Sequence, residues 1–430
     1  MATRPHVVIL GGGFAGLHAA KGLRGAPVDV TLIDRRNHHL FQPMLYQVAT
    51  AALSPSDIAS PIRSVLRRQK NAEVRLDEAT SVDVGARQVM LASGGSMKYD
   101  YLVIATGANH SYFGHDEWER LAPGLKSIED AVEIRRRVLL AFERAEAEPD
   151  PVLRQALLNF VIVGGGPTGV EVAGALAEIK RYVLRRDFRR IDPSEAIVIL
   201  VEAGKRILPS YPAELSEKAK RSLRRLGVDV RTETMVTNIS DTTVTAAGWT
   251  IPTRTVIWAA GNIASPILRT LGVPLDHQGR VLVADDCSIP AHPEVFVLGD
   301  AAHYEHGDEG VLPGVSPVAI QMGDYAARAI RRDLAGTASG PSRQRFHYWN
   351  KGQLAVIGRA RAVADIGRFH FDGILAWAIW IFVHIFFLIG FRNRVIVLLE
   401  WGISYLTYSR GARIITGEVL PERAAAGRGS

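Results

Sequence analysis

The sequence contains a single cysteine, Cys287, among its 430 residues. Enzymes that reduce disulfides or oxidise sulfide need a pair of cysteines that cycles between thiol and disulfide, so neither chemistry can take place within one copy of this chain. Cys287 alone is expected to be a small packed residue. One absence therefore excludes two classes of redox mechanism.

The chain also lacks low-complexity segments, and its first apolar strand begins within a few residues of the N-terminus. This leaves no room for a signal or transit peptide, so we expect the protein to be made and kept in the cytosol. The net charge is +7, with arginine runs at 135–137, 185–186 and 189–190. These runs indicate a solvated basic face or attraction to an anionic membrane surface. No nucleic-acid motif accompanies the charge, so nucleic acid is not an expected partner.

Two complete glycine-rich dinucleotide fingerprints, about 150 residues apart, are the main positive feature. Each follows an apolar run typical of a buried strand and precedes a predicted helix. The glycines allow a tight turn, close approach of a pyrophosphate and close packing of helix on strand. The pyrophosphate then lies at a helix N-terminus. Two such sites predict electron transfer between two dinucleotides. They comprise Gly11, Gly12, Gly13, Phe14, Ala15 and Gly16, and Gly164, Gly165, Gly166, Pro167, Thr168 and Gly169.

An acidic residue ends the second strand of each unit, as expected for a side chain that binds ribose hydroxyls. These residues are Asp34 in the first unit and Glu202 in the second. A carboxylate repels a 2′-phosphate, so Glu202 favours NADH over NADPH. Lys205 and Arg206 lie close enough in sequence to weaken that preference, which stays open.

Two further apolar strands predict how the chain completes the first unit. Residues 101–108 form a strand that ends at Thr106 and Gly107, and residues 295–302 form one that ends at Asp300. An acid in the latter position can bind a ribityl hydroxyl of FAD. The second unit is then an insertion in the first and ends at Gly261. We expect an FAD-binding domain of residues 1–120 and 262–342, and an NADH-binding domain of residues 121–261.

Three segments resemble the type II NADH dehydrogenases, non-pumping NADH:quinone oxidoreductases within the flavoproteins that have two dinucleotide-binding domains. They are residues 34–50, 163–171 and 384–394, and the resemblance covers nearly the whole chain. It implies an α/β fold like that of glutathione reductase, with FAD in the first domain, NADH in the second, and a quinone that enters from the membrane.

The resemblance also implies roles for individual residues. Glu171 would lie near the flavin and take part in quinone protonation, although an acid in the first turn of a helix also favours the helix dipole. Gln321 matches one of two family glutamines, whereas Pro317 replaces the other, which puts that quinone contact in doubt. Lys351 is a weaker candidate near the quinone tunnel. Ala319 and Ile320 would pack along the isoalloxazine, and Arg35 and Ala79 complete the expected FAD contacts.

Residues 343–416 are expected to form membrane-associated helices. The 19 residues from Gly373 to Phe391 carry no formal charge, which on length alone allows a spanning helix. His384 within the run, the flanking arginines, three tryptophans and the amphipathic segment from Val395 to Ile415 favour a helix pair that lies on the surface. A buried core pair is the third alternative. The resemblance favours a monotopic anchor, followed by a disordered tail at 417–430.

Together these features predict a flavoenzyme at the cytoplasmic face of the cell (inner) membrane that passes electrons from NADH through FAD to a membrane quinone without pumping protons. The competing hypotheses are a reductase of a protein acceptor, similar to ferredoxin reductases or apoptosis-inducing factor, and a membrane-bound NADH sensor without turnover. The identity of the quinone and the existence of a homodimer stay open.

Overall fold

The structure of the protein is a computed structural model that describes residues 4–416, apart from 186, 308–309, 338–339 and 408–411. The tail predicted at 417–430 lies outside the described residues.

The first fingerprint opens a unit in which short helices follow or connect strands. Its elements are β1 (His6–Leu10), α1 (Phe14–Gly22), β2 (Asp29–Asp34), β3 (His38–Leu40), α2 (Leu45–Ala49), α3 (Pro55–Ile58), β4 (Ala59–Pro61), α4 (Ile62–Leu66), β5 (Ala72–Leu76), β6 (Ala79–Asp83), β7 (Gln88–Leu91), β8 (Ser96–Lys98), β9 (Tyr101–Ile104), β10 (Ala108–His110) and α5 (Trp118–Leu121).

A long helix leads to the second fingerprint and its sheet. The elements here are α6 (Ile128–Ala147), α7 (Pro151–Leu157), β11 (Asn159–Val163), α8 (Pro167–Glu178), β12 (Ile197–Val201), α9 (Ala213–Arg225), β13 (Val228–Arg231), β14 (Val236–Ile239), β15 (Thr243–Ala246), β16 (Trp249–Pro252) and β17 (Thr255–Trp258).

The remaining chain returns to the first sheet and then forms the C-terminal elements. These are β18 (Asn262–Ala264), β19 (Val281–Leu282), β20 (Ser288–Ile289), β21 (His292–Val297), β22 (Ala302–His303), α10 (Ser316–Leu334), β23 (Gln353–Gly358), β24 (Arg361–Ile366), β25 (Phe369–Asp372), α11 (Gly373–Phe387) and α12 (Phe391–Thr407).

Each fingerprint strand lies inside a sheet and pairs in parallel with both of its neighbours, although β20 at the edge of the first sheet pairs antiparallel with β21. The first sheet has the order β20-β21-β9-β1-β2-β5, and the second has the order β13-β12-β11-β17. The pairs of β1 with β2 and β9, and of β11 with β12 and β17, are all parallel. Parallel strands are covered on both faces, which explains why β1 and β11 are continuous apolar runs. This confirms the predicted α/β fold.

The first sheet contains strands from both sides of the second unit in sequence. β9 precedes that unit and β21 follows it, and the two pair in parallel at Leu102 with Val295 and at Ile104 with Val297. The carboxyl ends of β1, β9 and β21 therefore lie at one edge of the sheet. In open α/β sheets this edge is where ligands bind.

The C-terminal elements pack on the helix of the second fingerprint. The prediction of helices throughout 343–416 is wrong for residues 353–372, where β23, β24 and β25 form an antiparallel sheet. β23 lies directly against α8. A Cβ atom on Gly174 would lie 1.7 Å from the carbonyl oxygen of Ile357, so only glycine allows this approach. The contact fixes α8, which carries Glu171, against residues 353–358.

The uncharged run predicted at 373–391 is not one helix. α11 ends at Phe387, and the chain turns through Gly390, whose φ is +92°, before α12 begins. None of the helices in the described ranges is both long enough and apolar enough to cross a membrane.

Candidate functional site

The first fingerprint turn is held by the acid at the end of β2. One carboxylate oxygen of Asp34 accepts a hydrogen bond from the backbone N–H of Gly12 at 2.5 Å, and the other accepts one from the backbone N–H of Arg36 at 2.7 Å. A Cβ atom on Gly16 would lie 1.9 Å from the carbonyl oxygen of Gly11. The sequence therefore folds into a turn that only glycine fits, with a carboxylate beside it.

The second fingerprint turn repeats this arrangement. The carboxylate of Glu202, directly after β12, accepts hydrogen bonds from the N–H groups of Gly165 and Gly204, both at 2.6 Å. Gly166 precedes α8, and apart from Gly166 itself and its chain neighbours no atom lies within 4 Å of the position of a Cβ on it. Both turns thus combine a helix N-terminus with a carboxylate, which is the geometry of a dinucleotide site.

Polar groups between the first sheet and the cavity fit a flavin dinucleotide. The hydroxyl of Thr106, after β9, is buried and has no hydrogen-bond partner in the described part of the chain. Asp300, after β21, lines a large cavity together with Lys126. Burial raises the pKa of Asp300, while the charge of Lys126 opposes that shift. An unpaired hydroxyl and a carboxylate suit the hydroxyl and phosphate groups of FAD.

A cavity of about 930 Å³ joins the two fingerprints and the C-terminal elements. Nine of the sequence-predicted site residues line it, and they come from six separated segments. They are Phe14, Pro167, Thr168, Glu171, Gly261, Asp300, Ala319, Ile320 and Lys351. The fold therefore brings both dinucleotide turns and the C-terminal elements to one space.

Glu171 lies in the first turns of α8, on the wall of this cavity and of a second, smaller cavity of about 60 Å³. Burial raises the pKa of its carboxyl to about 8, and a 3.5 Å contact from the backbone N–H of Val356 acts in the opposite direction. The carboxyl is mostly protonated at neutral pH, so it can donate a proton to a bound molecule.

Lys351 and Gln321 occupy different surroundings. The Lys351 ammonium lies 5.5 Å from the ring centre of Trp349 and 5.3 Å from that of Phe387, on the cavity wall. Gln321 is not among the residues that line the cavity. Its amide donates to the carbonyl oxygen of Trp349 and accepts from the N–H of Trp349, both at 3.0 Å. In this structure Gln321 holds the segment that carries Lys351.

Arg35 and Ala79 were predicted to contact FAD, but neither is among the residues that line the cavity. Arg35 is largely exposed and lies 3.8 Å from Glu78. Ala79 begins β6 and pairs with Leu91 in a small antiparallel sheet. Pro317, which stands where the family glutamine was expected, does line the cavity.

Sequence reasoning missed several cavity residues. Lys126 precedes α6, and burial lowers the pKa of its ammonium, although Asp300 and Asp130 oppose the shift. Tyr211 is buried on the same cavity wall as Glu171. Neither belongs to a motif. His384 did carry a signal, because it is the ionisable residue within an otherwise apolar 19-residue run.

Comparison with known proteins identifies the family. The family model for pyridine nucleotide-disulphide oxidoreductases matches residues 5–323, and the model for the NDH2 C-terminal domain matches residues 350–410. The type II NADH:quinone oxidoreductase Ndh of Mycobacterium tuberculosis is 44% identical, over 99% of this chain and 96% of that protein. This chain belongs to the type II NADH:quinone oxidoreductases. NdhA of the same organism is 43% identical over 98% of the chain.

Solved structures show the same fold at lower sequence identity. NDH2 from Plasmodium falciparum in complex with NADH has a TM-score of 0.87 at 19% identity, with 96% of this chain and 100% of that chain covered. A sulfide:quinone oxidoreductase from Aquifex aeolicus has a TM-score of 0.73 at 19% identity, with 93% and 95% covered. The single Cys287 separates this chain from disulfide chemistry within that shared fold.

Proposed function

We propose that the protein oxidises NADH and reduces a quinone to its quinol through FAD, without moving ions across the membrane. NADH supplies two electrons and one proton, a second proton comes from solvent, and the products are NAD⁺ and the quinol. The cavity of about 930 Å³ that both fingerprints share with the C-terminal elements carries this proposal. Bound FAD supplies the two-electron chemistry that amino-acid side chains lack.

The first unit would hold FAD. Its glycine turn and the N-terminus of α1 would bind the pyrophosphate, and Asp34 would bind ribose hydroxyls. Thr106 and Asp300 supply a free hydroxyl and a carboxylate at the carboxyl edge of the sheet. The other proposed FAD contacts are Gly11, Gly12, Gly13, Phe14, Ala15, Gly16, Arg35, Ala79, Gly107, Ala319 and Ile320.

The second unit would hold NADH. The N-terminus of α8 would bind its pyrophosphate, and Glu202 would accept hydrogen bonds from the ribose while it disfavours the 2′-phosphate of NADPH. Thr168 and Gly261 line the shared cavity and would position the nicotinamide. The other proposed contacts are Gly164, Gly166, Pro167 and Gly169.

Glu171 would supply a proton to the quinone. Its carboxyl lines the cavity, and its raised pKa keeps the proton available at neutral pH. Lys351 would place a positive charge near the same space, where it can stabilise a developing oxyanion. Gln321 would act indirectly, because its side chain forms two hydrogen bonds with the backbone of Trp349 and so positions the segment that carries Lys351.

The C-terminal helices would place the cavity at a lipid surface. α11 and α12 expose a set of large apolar side chains, an arrangement typical of helices that lie in a membrane interface. They are Ile374, Leu375, Phe382, Phe386, Leu398 and Leu399. Basic residues such as Arg394 would face anionic headgroups. We infer a monotopic association at the cytoplasmic face of the cell membrane, made by residues 343–416.

We also retain the division into an FAD domain of residues 1–120 and 262–342 and an NADH domain of residues 121–261. The pairing of β9 with β21 supports it, because those strands flank the second unit in sequence.

Steady-state assays in lipid test the proposal. NADH oxidation should depend on an added quinone, and turnover in sealed proteoliposomes should generate no membrane potential. Oxidation that depends on a protein acceptor and not on quinone would favour the competing reductase function. Replacement of Phe382 and Phe386 by serine should release the protein from anionic vesicles and leave turnover with a water-soluble quinone intact.

A further inference from the structure

His384 is a buried polar residue in the apolar helix α11, and its ring is fixed by three contacts. Its Nδ1 atom lies 2.7 Å from the carbonyl oxygen of Trp380. The ring stacks on Trp380 with centroids 4.0 Å apart, and it meets Phe41 edge to face at 6.1 Å. The imidazole therefore has one orientation.

The contact with Trp380 decides which nitrogen carries the hydrogen. A carbonyl oxygen only accepts, so Nδ1 of His384 must be the donor, and in a neutral ring Nε2 is then an acceptor. Burial lowers the pKa of the His384 imidazole to about 4, so the ring is neutral at physiological pH. Nε2 thus offers a lone pair and no hydrogen.

The free nitrogen belongs to a residue on the wall of the large cavity. His384 lines this space together with Val383 and Phe387 of the same helix. Within the described ranges, Nδ1 is the ring nitrogen that has a hydrogen-bond partner, and Nε2 is not among the buried unpaired atoms. Nε2 therefore has access to open space on a wall that Val383 and Phe387 also line.

We propose that Nε2 of His384 accepts a hydrogen bond from a hydroxyl group of the quinol, so that this residue distinguishes the reduced product from the oxidised substrate. This inference rests on the proposed function and adds a specificity-determining residue to it. The carbonyl oxygens of a quinone only accept hydrogen bonds and gain nothing from Nε2. The hydroxyl groups of a quinol donate, so the contact forms once the headgroup has been protonated.

His384 and Glu171 then have complementary roles on the wall of the same cavity, one as a hydrogen-bond acceptor and the other as a donor. The protonated carboxyl of Glu171 can donate to a quinone carbonyl, whereas His384 can only receive from a hydroxyl. The lysine Lys351 is also a donor. An acceptor-only nitrogen on the apolar α11 wall is therefore a group that quinol can use and quinone cannot.

Two neutral probes test the inference directly, because the naphthalene oxygen carries a hydrogen in one and a methyl group in the other. The dissociation constants of 1-naphthol and 1-methoxynaphthalene are measured by calorimetry on the FAD-loaded protein. The wild type should bind 1-naphthol about fivefold to tenfold more tightly, the effect of one hydrogen bond. In His384→Phe that preference should fall to about one. No preference in the wild type would overturn the inference without any variant.

Further variants separate hydrogen bonding from packing. His384→Gln keeps an acceptor oxygen and should restore part of the naphthol preference, whereas His384→Leu should not. If His384 had a purely structural role, its replacement would raise the dissociation constants of both probes by the same factor. His370→Phe is the matched control, because His370 lies on β25 beside Asp365 and is not among the cavity residues. It should leave both constants unchanged.

Two readouts separate failure of this inference from failure of the proposed function. If the wild type does not reduce menadione, the proposed function fails. If menadione is reduced but His384→Phe and His384→Leu keep the naphthol preference, the His384 assignment alone is wrong. The flavin absorption spectrum of His384→Phe should match that of the wild type. A shifted spectrum would place the ring against the flavin and overturn the assignment.

Discussion

The indole N–H of Trp401 donates a 2.7 Å hydrogen bond to the side-chain oxygen of Gln47, and both side chains are buried. Trp401 belongs to α12 and Gln47 to α2, so the bond ties the C-terminal helices to the first unit. Gln47 also donates to the hydroxyl of Tyr46, which lines the large cavity. The two C-terminal helices are thus part of the same packed structure as the cavity.

Trp401→Phe should destabilise the protein by about 1–3 kcal/mol, because it leaves the Gln47 oxygen buried without its donor. Denaturant unfolding in detergent measures this change. The double variant Gln47→Leu/Trp401→Phe should lose less than the sum of the two single variants. Strict additivity would contradict a direct coupling of the two side chains.

Quinone reduction should depend on pH through Glu171. Its raised pKa means that the carboxyl holds a proton below about pH 8 and loses it above that value. The rate of flavin reoxidation by quinone should therefore fall as pH rises through 8. The rate of flavin reduction by NADH should not show this fall, because that step does not use the proton of Glu171. Glu171→Gln should slow reoxidation and abolish this dependence. An unchanged profile in the variant would rule out the carboxyl as the proton donor.

Two glycines of the first fingerprint should fail in different ways. A Cβ on Gly16 meets the backbone oxygen of Gly11 at 1.9 Å, so Gly16→Ala should prevent folding of the unit. Apart from Gly13 and its chain neighbours, no atom lies within 4 Å of a Cβ on Gly13, so Gly13→Ala should fold; its methyl group would occupy the space of the FAD pyrophosphate, so it should bind FAD poorly. Circular dichroism and flavin content of the purified variants measure the two effects. Gly85→Ala, in an exposed turn, is the control.

Glu202 should determine the choice of nicotinamide cofactor. Glu202→Ala removes a carboxylate that would repel the 2′-phosphate, so the ratio of kcat/KM for NADPH to that for NADH should rise by about tenfold or more. Glu217→Ala, an exposed change on α9, should leave the ratio alone. A constant ratio in the Glu202 variant would show that the preference lies elsewhere.

Gln321 should affect turnover because it positions the backbone of Trp349, and not because it contacts the quinone. Gln321→Ala removes both hydrogen bonds to the Trp349 backbone and should raise the KM for quinone more than it lowers kcat. The KM for NADH should not change. A selective loss of kcat would instead favour direct participation of the amide.

The parallel sheets and both turns could be predicted because their causes are local. An apolar run, a glycine spacing and a terminal acid lie within 35 residues in the first unit, and the acids at 34 and 202 lie beside their turns as expected. The strand that ends at Asp300 was also predictable from its own residues.

Long-range contacts were not predictable in this way. Nothing near Gly174 in sequence indicates that β23 lies against it, and nothing near Gln321 indicates a bond to Trp349. The break after Phe387 was missed because charge and length alone do not reveal a turn at Gly390. His384 could have been assigned to the site from the sequence. Burial of a polar imidazole in an apolar run costs free energy, and a functional role explains why the residue is present.

Anaerobic stopped-flow absorbance of the FAD-loaded protein follows electron transfer from NADH to quinone in two phases. NADH should bleach the flavin, menadione should then restore its absorbance, and Glu171→Gln should slow only the second phase. If NADH fails to bleach the flavin, or menadione fails to reoxidise it, the protein is not an NADH:quinone oxidoreductase that works through FAD.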